Sequence, residues 1–96
     1  MTISLHLHDL PDSVEIKSSI AVDTECMGLN LNRDRLCLLQ LSTGDGNAHL
    51  IQFNNNFEAP NLKRILTDPA ILKIFHYARF DIAAIQKYLG VMTNPI

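Results

Sequence analysis

Two carboxylates, Asp23 and Glu25, lie two residues apart in the segment AVDTECMG. Because side chains alternate along a β-strand, residues two apart point to the same side with Cα atoms about 7 Å apart. Paired carboxylates of this kind are hard oxygen ligands suited to Mg²⁺ or Mn²⁺. The alternative interpretation is a solvent-facing strand on which alternating acids have no function.

A third acid, Asp81, occurs in the segment FHYARFDIAAI, where the apolar spacing predicts a helix. On a helical wheel Asp81 lies about 40° from Ile85, so it should flank the buried stripe in the first turn. An acid there can also be a decoration favoured by the helix dipole. If this helix packs beside the strand that carries Asp23, however, three carboxylates converge. Three converging acids predict a cation site.

The elements that must position these acids follow from hydropathy. Alternating or continuous apolar runs predict strands over 4–7, 19–24, 36–42, 48–53 and 71–75, and helical spacing predicts helices over 60–67 and 78–89. Strands 19–24, 36–42 and 48–53 should form an antiparallel three-stranded meander, followed by a helix, a parallel strand and a helix. The fold class is therefore α/β, with an antiparallel first half and a parallel second half. The run LCLLQLS predicts a central strand, and we expect helices on both faces of the sheet, covering the acids.

Length and composition limit the class of protein. Ninety-six residues with 47% hydrophobic content predict a single domain over 1–96. The net charge of −2 excludes a polyanion-binding surface built on bulk charge, so any contact with nucleic acid is local or mediated by cations. The two cysteines lack a CxxC spacing, which predicts two buried thiols in a reducing compartment. With no leader pattern and no run long enough to span a membrane, we expect a soluble cytoplasmic protein.

The segments IAVDTECMGLNLNRDRLCLLQLSTGDG and KIFHYARFDIAAI resemble the ribonuclease D branch of the DEDD 3′–5′ exonucleases. Asp23 and Glu25 match the first family motif, Asp-x-Glu, and Asp81 matches the helical aspartate of the second. The resemblance implies a ribonuclease H-like fold and hydrolysis of the 3′-terminal phosphodiester with two divalent cations, Mg²⁺ or Mn²⁺. It also implies that Asp23 bridges both ions, that Glu25 binds the ion on the side of the attacking water, and that Asp81 holds the second ion, directly or through water.

The partner implied by this resemblance is the 3′ end of an RNA, with single-stranded DNA as the other substrate of this class. The cleft for the terminal nucleotide would be lined by Cys26, Met27 and Gly28. His76 has two open interpretations, a residue that contacts substrate or orients an acid, and a hydrogen-bonded histidine at a strand end.

One family feature has no match in this sequence. The resemblance calls for a fourth acid in a Tyr-x-x-x-Asp or His-x-x-x-Asp motif beyond Asp81, but residues 82–96 contain no Asp, Glu or His. We therefore expect the N-terminal part of an exonuclease domain, truncated and inactive alone. The alternative is a non-catalytic remnant, or a module that binds nucleic acid or self-associates. Without the C-terminal elements that would cover it, an apolar part of the sheet would be exposed and could support self-association or pairing with a C-terminal half.

Overall fold

The computed structural model describes residues 2–11, 14, 16, 18–27, 35–44, 46–75 and 78–93. Its elements are β1 (Thr2–Leu7), β2 (Ser19–Cys26), β3 (Leu36–Ser42), β4 (Asn47–Gln52), α1 (Pro60–Thr67), β5 (Leu72–Phe75) and α2 (Ala78–Leu89). The predicted α/β class and the predicted order of elements are confirmed, and β3 and both helices have the predicted bounds. Strand β2 runs to Cys26, two residues beyond its predicted end, so both acids of AVDTECMG lie within it.

The five strands form one sheet in the order β1-β4-β3-β2-β5. Strands β2, β3 and β4 pair antiparallel as the predicted meander, and β5 pairs parallel with β2. Strand β1 departs from the expected antiparallel first half, because it pairs parallel with β4 at the far edge. The segment after β1 places Leu10 in the core, with 1% of its surface exposed, before β2 begins. The chain therefore returns across the sheet instead of making a hairpin.

The hydrophobic core lies on one side of the sheet, which we call the core face. It joins the strand residues Ile20, Val22, Leu39, Leu41 and Ile51 to Leu62 and Leu66 of α1 and to Ile85 and Leu89 of α2. On the other side, which we call the open face, the exposed strand residues are Ile3, Leu5, Leu7, Ala21, Asp23, Glu25, Gln40, Gln52, Leu72 and Ile74. The expectation of helices on both faces is wrong for the described part of the chain, since the apolar stripes of α1 and α2 pack into the same core.

Two further expectations concern the cysteines and membrane insertion. Cys26 and Cys37 form no disulfide in the described part of the chain. Both are half-buried, whereas full burial was predicted. In the part of the chain that the structure describes, no helix has both the length and the apolar character needed to cross a membrane.

Helix α1 takes its N-terminal cap from a distant segment. Pro60 occupies the first helical turn, but Ala59 before it is left-handed, with φ 35°, and provides no side-chain cap. The carboxylate of Asp9 supplies the cap instead. Its Oδ2 accepts a hydrogen bond from the backbone N–H of Asn61 at 3.0 Å, and its Oδ1 accepts one from the backbone N–H of Leu62 at 2.9 Å. These bonds satisfy helix N–H groups that have no partner within the helix.

Candidate functional site

Asp23 and Glu25 lie on the open face of β2. The strand alternates strictly in this region, so both acids are exposed while Thr24 between them is buried. The prediction that the two acids share one side of the sheet is confirmed. The prediction that a helix covers them is wrong, because α1 and α2 pack into the core on the other side. Both carboxylates are therefore hydrated and accessible to a ligand from solvent.

An open depression of about 280 Å³ lies beside Asp23. Its lining includes Ala21, Asp23, Gln40, Ser42, Ile74 and Phe75, from the three neighbouring strands β2, β3 and β5. Gln40 is the cross-strand partner of Asp23. Sequence reasoning missed Gln40 and Ser42 as site residues. The available signal was that they are the only polar residues in the otherwise apolar run LCLLQLS.

Asp81 is placed differently from the other two acids. It is buried, with 1% of its surface exposed, and shares the buried side of α2 with Ala84, Ile85 and Leu89. Ile82, the next residue, is half-buried. Asp81 therefore lies within the packed face of α2 and does not merely flank it. Its Oδ1 accepts a hydrogen bond from Thr24 Oγ1 at 2.5 Å, which allows a carboxylate to occupy this position.

The three acids do not form one cluster in this structure. Because Thr24 points away from Asp23 and Glu25, its contact with Asp81 shows that Asp81 meets β2 from the core face. Among the described residues, no three His, Cys, Asp or Glu side chains lie close enough together to hold a metal ion. The expected convergence is therefore not observed, and the reason is that α2 packs on the side of the sheet opposite the acid pair.

One atom of Asp81 nevertheless fits a ligand role. Its Oδ2 is buried and has no hydrogen-bond partner among the described residues. A buried carboxylate oxygen without a donor needs a water molecule or a cation to satisfy it. The oxygen donors of Asp23, Glu25 and Asp81 are of the chemical type that Mg²⁺ and Mn²⁺ select. The metal-binding and catalytic roles of the three residues stay predictions.

The remaining predicted site residues are only partly described. Met27 is 64% exposed just beyond β2, and its backbone N–H donates to the carbonyl oxygen of Arg35 at 3.0 Å. Cys26 packs against the core, so its side chain does not line the open face. Gly28 and His76 lie outside the described residues. Of the expected cleft residues, only Met27 is seen to present its side chain to solvent.

Comparison with known proteins agrees with this fold. A family model described as a 3′–5′ exonuclease matches residues 1–96. The chain therefore belongs to the 3′–5′ exonuclease family. The predicted resemblance to its ribonuclease D branch and the ribonuclease H-like fold are both confirmed.

Solved structures extend the comparison. NrnC of Brucella melitensis, solved bound to pGG, has a TM-score of 0.91 and 47% identity, over 99% of this chain and 48% of that chain. The same protein solved with bound Mg²⁺ has a TM-score of 0.90, with the same identity and coverage. RNase D of Escherichia coli, described as an exoribonuclease involved in structured RNA processing, has a TM-score of 0.67 and 30% identity, over 81% of this chain and 20% of that chain.

A curated relative gives the same family. Ribonuclease D of Granulibacter bethesdensis is 29% identical over 77 residues, which is 80% of this chain and 20% of the relative. The chain thus spans about half the length of NrnC and about a fifth of the ribonuclease D proteins.

Proposed function

We propose that this chain is the N-terminal part of a metal-dependent 3′–5′ exoribonuclease that acts on 3′-terminal phosphodiesters. The observation that carries the proposal is the exposed pair Asp23 and Glu25 on the open face of β2, in a chain that the exonuclease model matches over its whole length. Two solvent-accessible carboxylates on neighbouring exposed positions of one strand can share a cation without first being released from other partners. Glu25 makes no side-chain hydrogen bond within the described residues, and Asp23 accepts only the backbone N–H of Thr24.

The proposed cofactor is two divalent cations, Mg²⁺ or Mn²⁺. Asp23 and Glu25 would hold them on the open face, and Asp81, which meets β2 from the core face in this structure, would have to move with α2 for its unpartnered Oδ2 to join them. When bound, the cations supply the charge that activates the attacking water and stabilises the oxygen that leaves. Support for a divalent cation comes from the Mg²⁺-bound structure of the 47% identical NrnC.

The chain's own residues would bind and orient the substrate. The depression beside Asp23 is close in volume to small-ligand sites, which begin at about 300 Å³. The Gln40 amide opposite Asp23 can donate a hydrogen bond to a phosphate oxygen, and the exposed Met27 can give apolar contact to a terminal base. RNA is the proposed substrate, because the relatives include ribonuclease D proteins and a structure bound to pGG. Single-stranded DNA remains the alternative, and the proposed compartment is the cytoplasm.

A second candidate function is a non-catalytic module that binds nucleic acid or pairs with further polypeptide. Two observations favour it: Asp81 is separated from the acid pair, and exposed apolar side chains lie at both edges of the open face. Such a module would retain RNA contact or self-association without metal-dependent turnover. The two functions therefore differ in their response to divalent cations.

The first test is calorimetric titration of the purified chain with MnCl₂. We expect binding that Asp23→Asn and Glu25→Gln each weaken by more than about tenfold, since even indirect changes around a metal site cost that much. The matched control is Glu58→Gln, which removes one exposed carboxylate outside the sheet and changes the net charge equally. If Mn²⁺ does not bind, or if Asp23→Asn and Glu58→Gln behave alike, the proposed metal site is wrong.

The second test concerns turnover. We expect no trimming of a 3′-labelled single-stranded RNA by the chain alone with Mn²⁺, and trimming by a chimera that joins residues 1–96 to the complementary half of Brucella melitensis NrnC. Asp23→Asn should abolish the activity of the chimera. Trimming by the isolated chain that Asp23→Asn removes would show that the chain needs no further half. A folded chimera that binds RNA without cleaving it would favour the second candidate function.

A further inference from the structure

Strand β1 has an outer edge that is available for pairing. Its register with β4 is regular, and no other described strand pairs with it. The backbone N–H of His8 donates to the carbonyl oxygen of Gln52 at 2.8 Å, so the Leu7 carbonyl in the same peptide unit points away from β4. Because backbone groups alternate between the two edges of a strand, the groups that face away from β4 belong to Ile3, Leu5 and Leu7.

The two edges of the sheet differ in the features that normally prevent edge-to-edge pairing. Those features are short strands, charged residues, proline, bulges and charges that point inward. Strand β5 is four residues long and carries Lys73, which is 1% exposed on the core face and donates to the carbonyl oxygen of Asp68. Strand β1 is six residues long, and its sequence TISLHL contains no acid, lysine, arginine or proline. The β1 edge is therefore the unprotected edge.

The side chains of β1 form a pattern that is symmetric about Leu5, in the order apolar, polar, apolar, polar, apolar from Ile3 to Leu7. If two copies of β1 pair antiparallel about this residue, Leu5 lies opposite Leu5 of the second copy, and Ile3 lies opposite Leu7. These three side chains are 62%, 59% and 59% exposed in the single chain, and apolar cross-strand pairs stabilise a sheet.

The same register satisfies the backbone and opposes no like charges. Ile3, Leu5 and Leu7 are the residues whose N–H and C=O groups face outward, so in this register each can exchange hydrogen bonds with its counterpart. On the other side of the strand, Ser4 lies opposite His6 of the second copy. Burial, together with the nearby His49, lowers the pKa of His6, so this imidazole is neutral at pH 7.

We propose that the outer edge of β1 is a homodimer interface, at which two copies of this chain pair antiparallel about Leu5 and join their sheets into one. A second copy is the occupant because this edge supplies both members of every cross-strand pair. A contact between two six-residue strands is smaller than the roughly 1,200 Å² that stable interfaces bury, so the dimer should be weak, with a Kd of about 100 µM. The pairing uses neither acid of the proposed site and goes beyond the proposed function.

The first test is sedimentation velocity of the full chain at concentrations from about 10 to 500 µM. We expect a shift from monomer to dimer and no larger species, because a two-fold pairing uses the β1 edge of each copy and closes. Leu5→Lys should weaken the dimer more than about tenfold, since it places like charges directly opposite each other. Ile74→Lys is the matched control. It makes the same change at a residue that is 53% exposed on the other edge strand, and it should leave the Kd within about twofold of wild type.

The second test identifies the register by cysteine cross-linking. In the proposed dimer the two Leu5 Cα atoms lie about 5.5 Å apart, within the range of a disulfide, whereas the two Leu7 Cα atoms are displaced by about 14 Å along the strands. Leu5 and Leu7 are equally exposed, at 59%, so their access to solvent is matched. Under mild oxidation with diamide, Leu5→Cys should form disulfide dimers at least about tenfold faster than Leu7→Cys. Wild type, whose two cysteines are half-buried, gives the background rate.

Four results would overturn this inference: a single monomeric species over the whole concentration range, growth beyond the dimer, equal weakening by Leu5→Lys and Ile74→Lys, or equal cross-linking at the two cysteine positions. Thermal unfolding before each measurement confirms folding. If Leu5→Lys does not fold, Leu5→Thr, which keeps a high strand propensity and removes most of the apolar surface, replaces it. None of these results depends on Mn²⁺ binding, so failure here leaves the proposed nuclease function standing.

Discussion

The cap that Asp9 provides for α1 gives a stability prediction that can be worked from the structure. The carboxylate accepts hydrogen bonds from the backbone N–H groups of Leu10, Asn61 and Leu62, at 2.8, 3.0 and 2.9 Å. Loss of an N-terminal cap typically costs about 1 kcal/mol. Loss of a negative charge at a helix N-terminus costs up to about 1 kcal/mol more. Asp9→Ala should therefore lower the free energy of unfolding by about 2 kcal/mol.

The assay is urea unfolding followed by far-UV circular dichroism, with thermal unfolding as a second measurement. For a domain of this size, about 2 kcal/mol corresponds to a fall in Tm of about 8–16 °C. Asp9→Asn should lie between wild type and Asp9→Ala, because an amide keeps only one acceptor oxygen and has no charge. Gln86→Ala is the control, since it shortens an exposed side chain of α2, far in sequence from the start of α1. If Asp9→Ala lies within about 0.5 kcal/mol of Gln86→Ala, Asp9 does not stabilise α1 as argued.

Two other predictions concern β1. His6 Nε2 lies 3.0 Å from His49 Nδ1 on β4, and burial, together with the nearby His49, lowers the pKa of His6 from its usual 6.5. The unfolded chain then binds the proton more readily, so the free energy of unfolding should fall as the pH drops from about 6.5 through the lowered pKa. His6→Gln should flatten this pH dependence in urea midpoints measured between about pH 5 and 7.5. Equal slopes in wild type and His6→Gln would refute the assignment. Leu5, 59% exposed on the edge strand β1, should promote self-association of the chain. Leu5→Lys should therefore lower the average mass measured by light scattering. The control is Gln86→Lys on the exposed surface of α2, and an equal effect of the two variants would contradict this prediction.

Most of the fold could be predicted from local pattern. The bounds of β3, α1 and α2 were predictable because each has a clear period and a clear stop, such as Gly90, whose φ of 73° ends α2. Pairing across the sheet was predictable where a short turn or a strand-helix-strand connection limits the choices. The parallel pairing of β1 with β4 was not, since 11 residues separate β1 from β2 and periodicity does not indicate where a long connection leads.

For the candidate site, the sequence predicted that Asp23 and Glu25 share one side of a strand, but it did not predict the position of Asp81. Spacing alone placed Asp23 and Glu25 on one side of a strand, and the structure agrees. The helical wheel could not show that Asp81 is buried against the sheet, because a wheel gives only angular position and a carboxylate is expected at the surface. A hydroxyl from another element was needed to make that burial acceptable, and Thr24 supplies it.

The sequence by itself determined the class of fold, the acid pair and the family, because these depend on alternation, helical period and motif order. Only the tertiary structure decided which face of the sheet is covered, that Asp9 caps a helix more than 50 residues away, and that Thr24 and Asp81 meet. These are long-range contacts between elements whose local patterns allow several packings. The chain selects among them by burying one apolar face and satisfying the polar groups that this burial encloses.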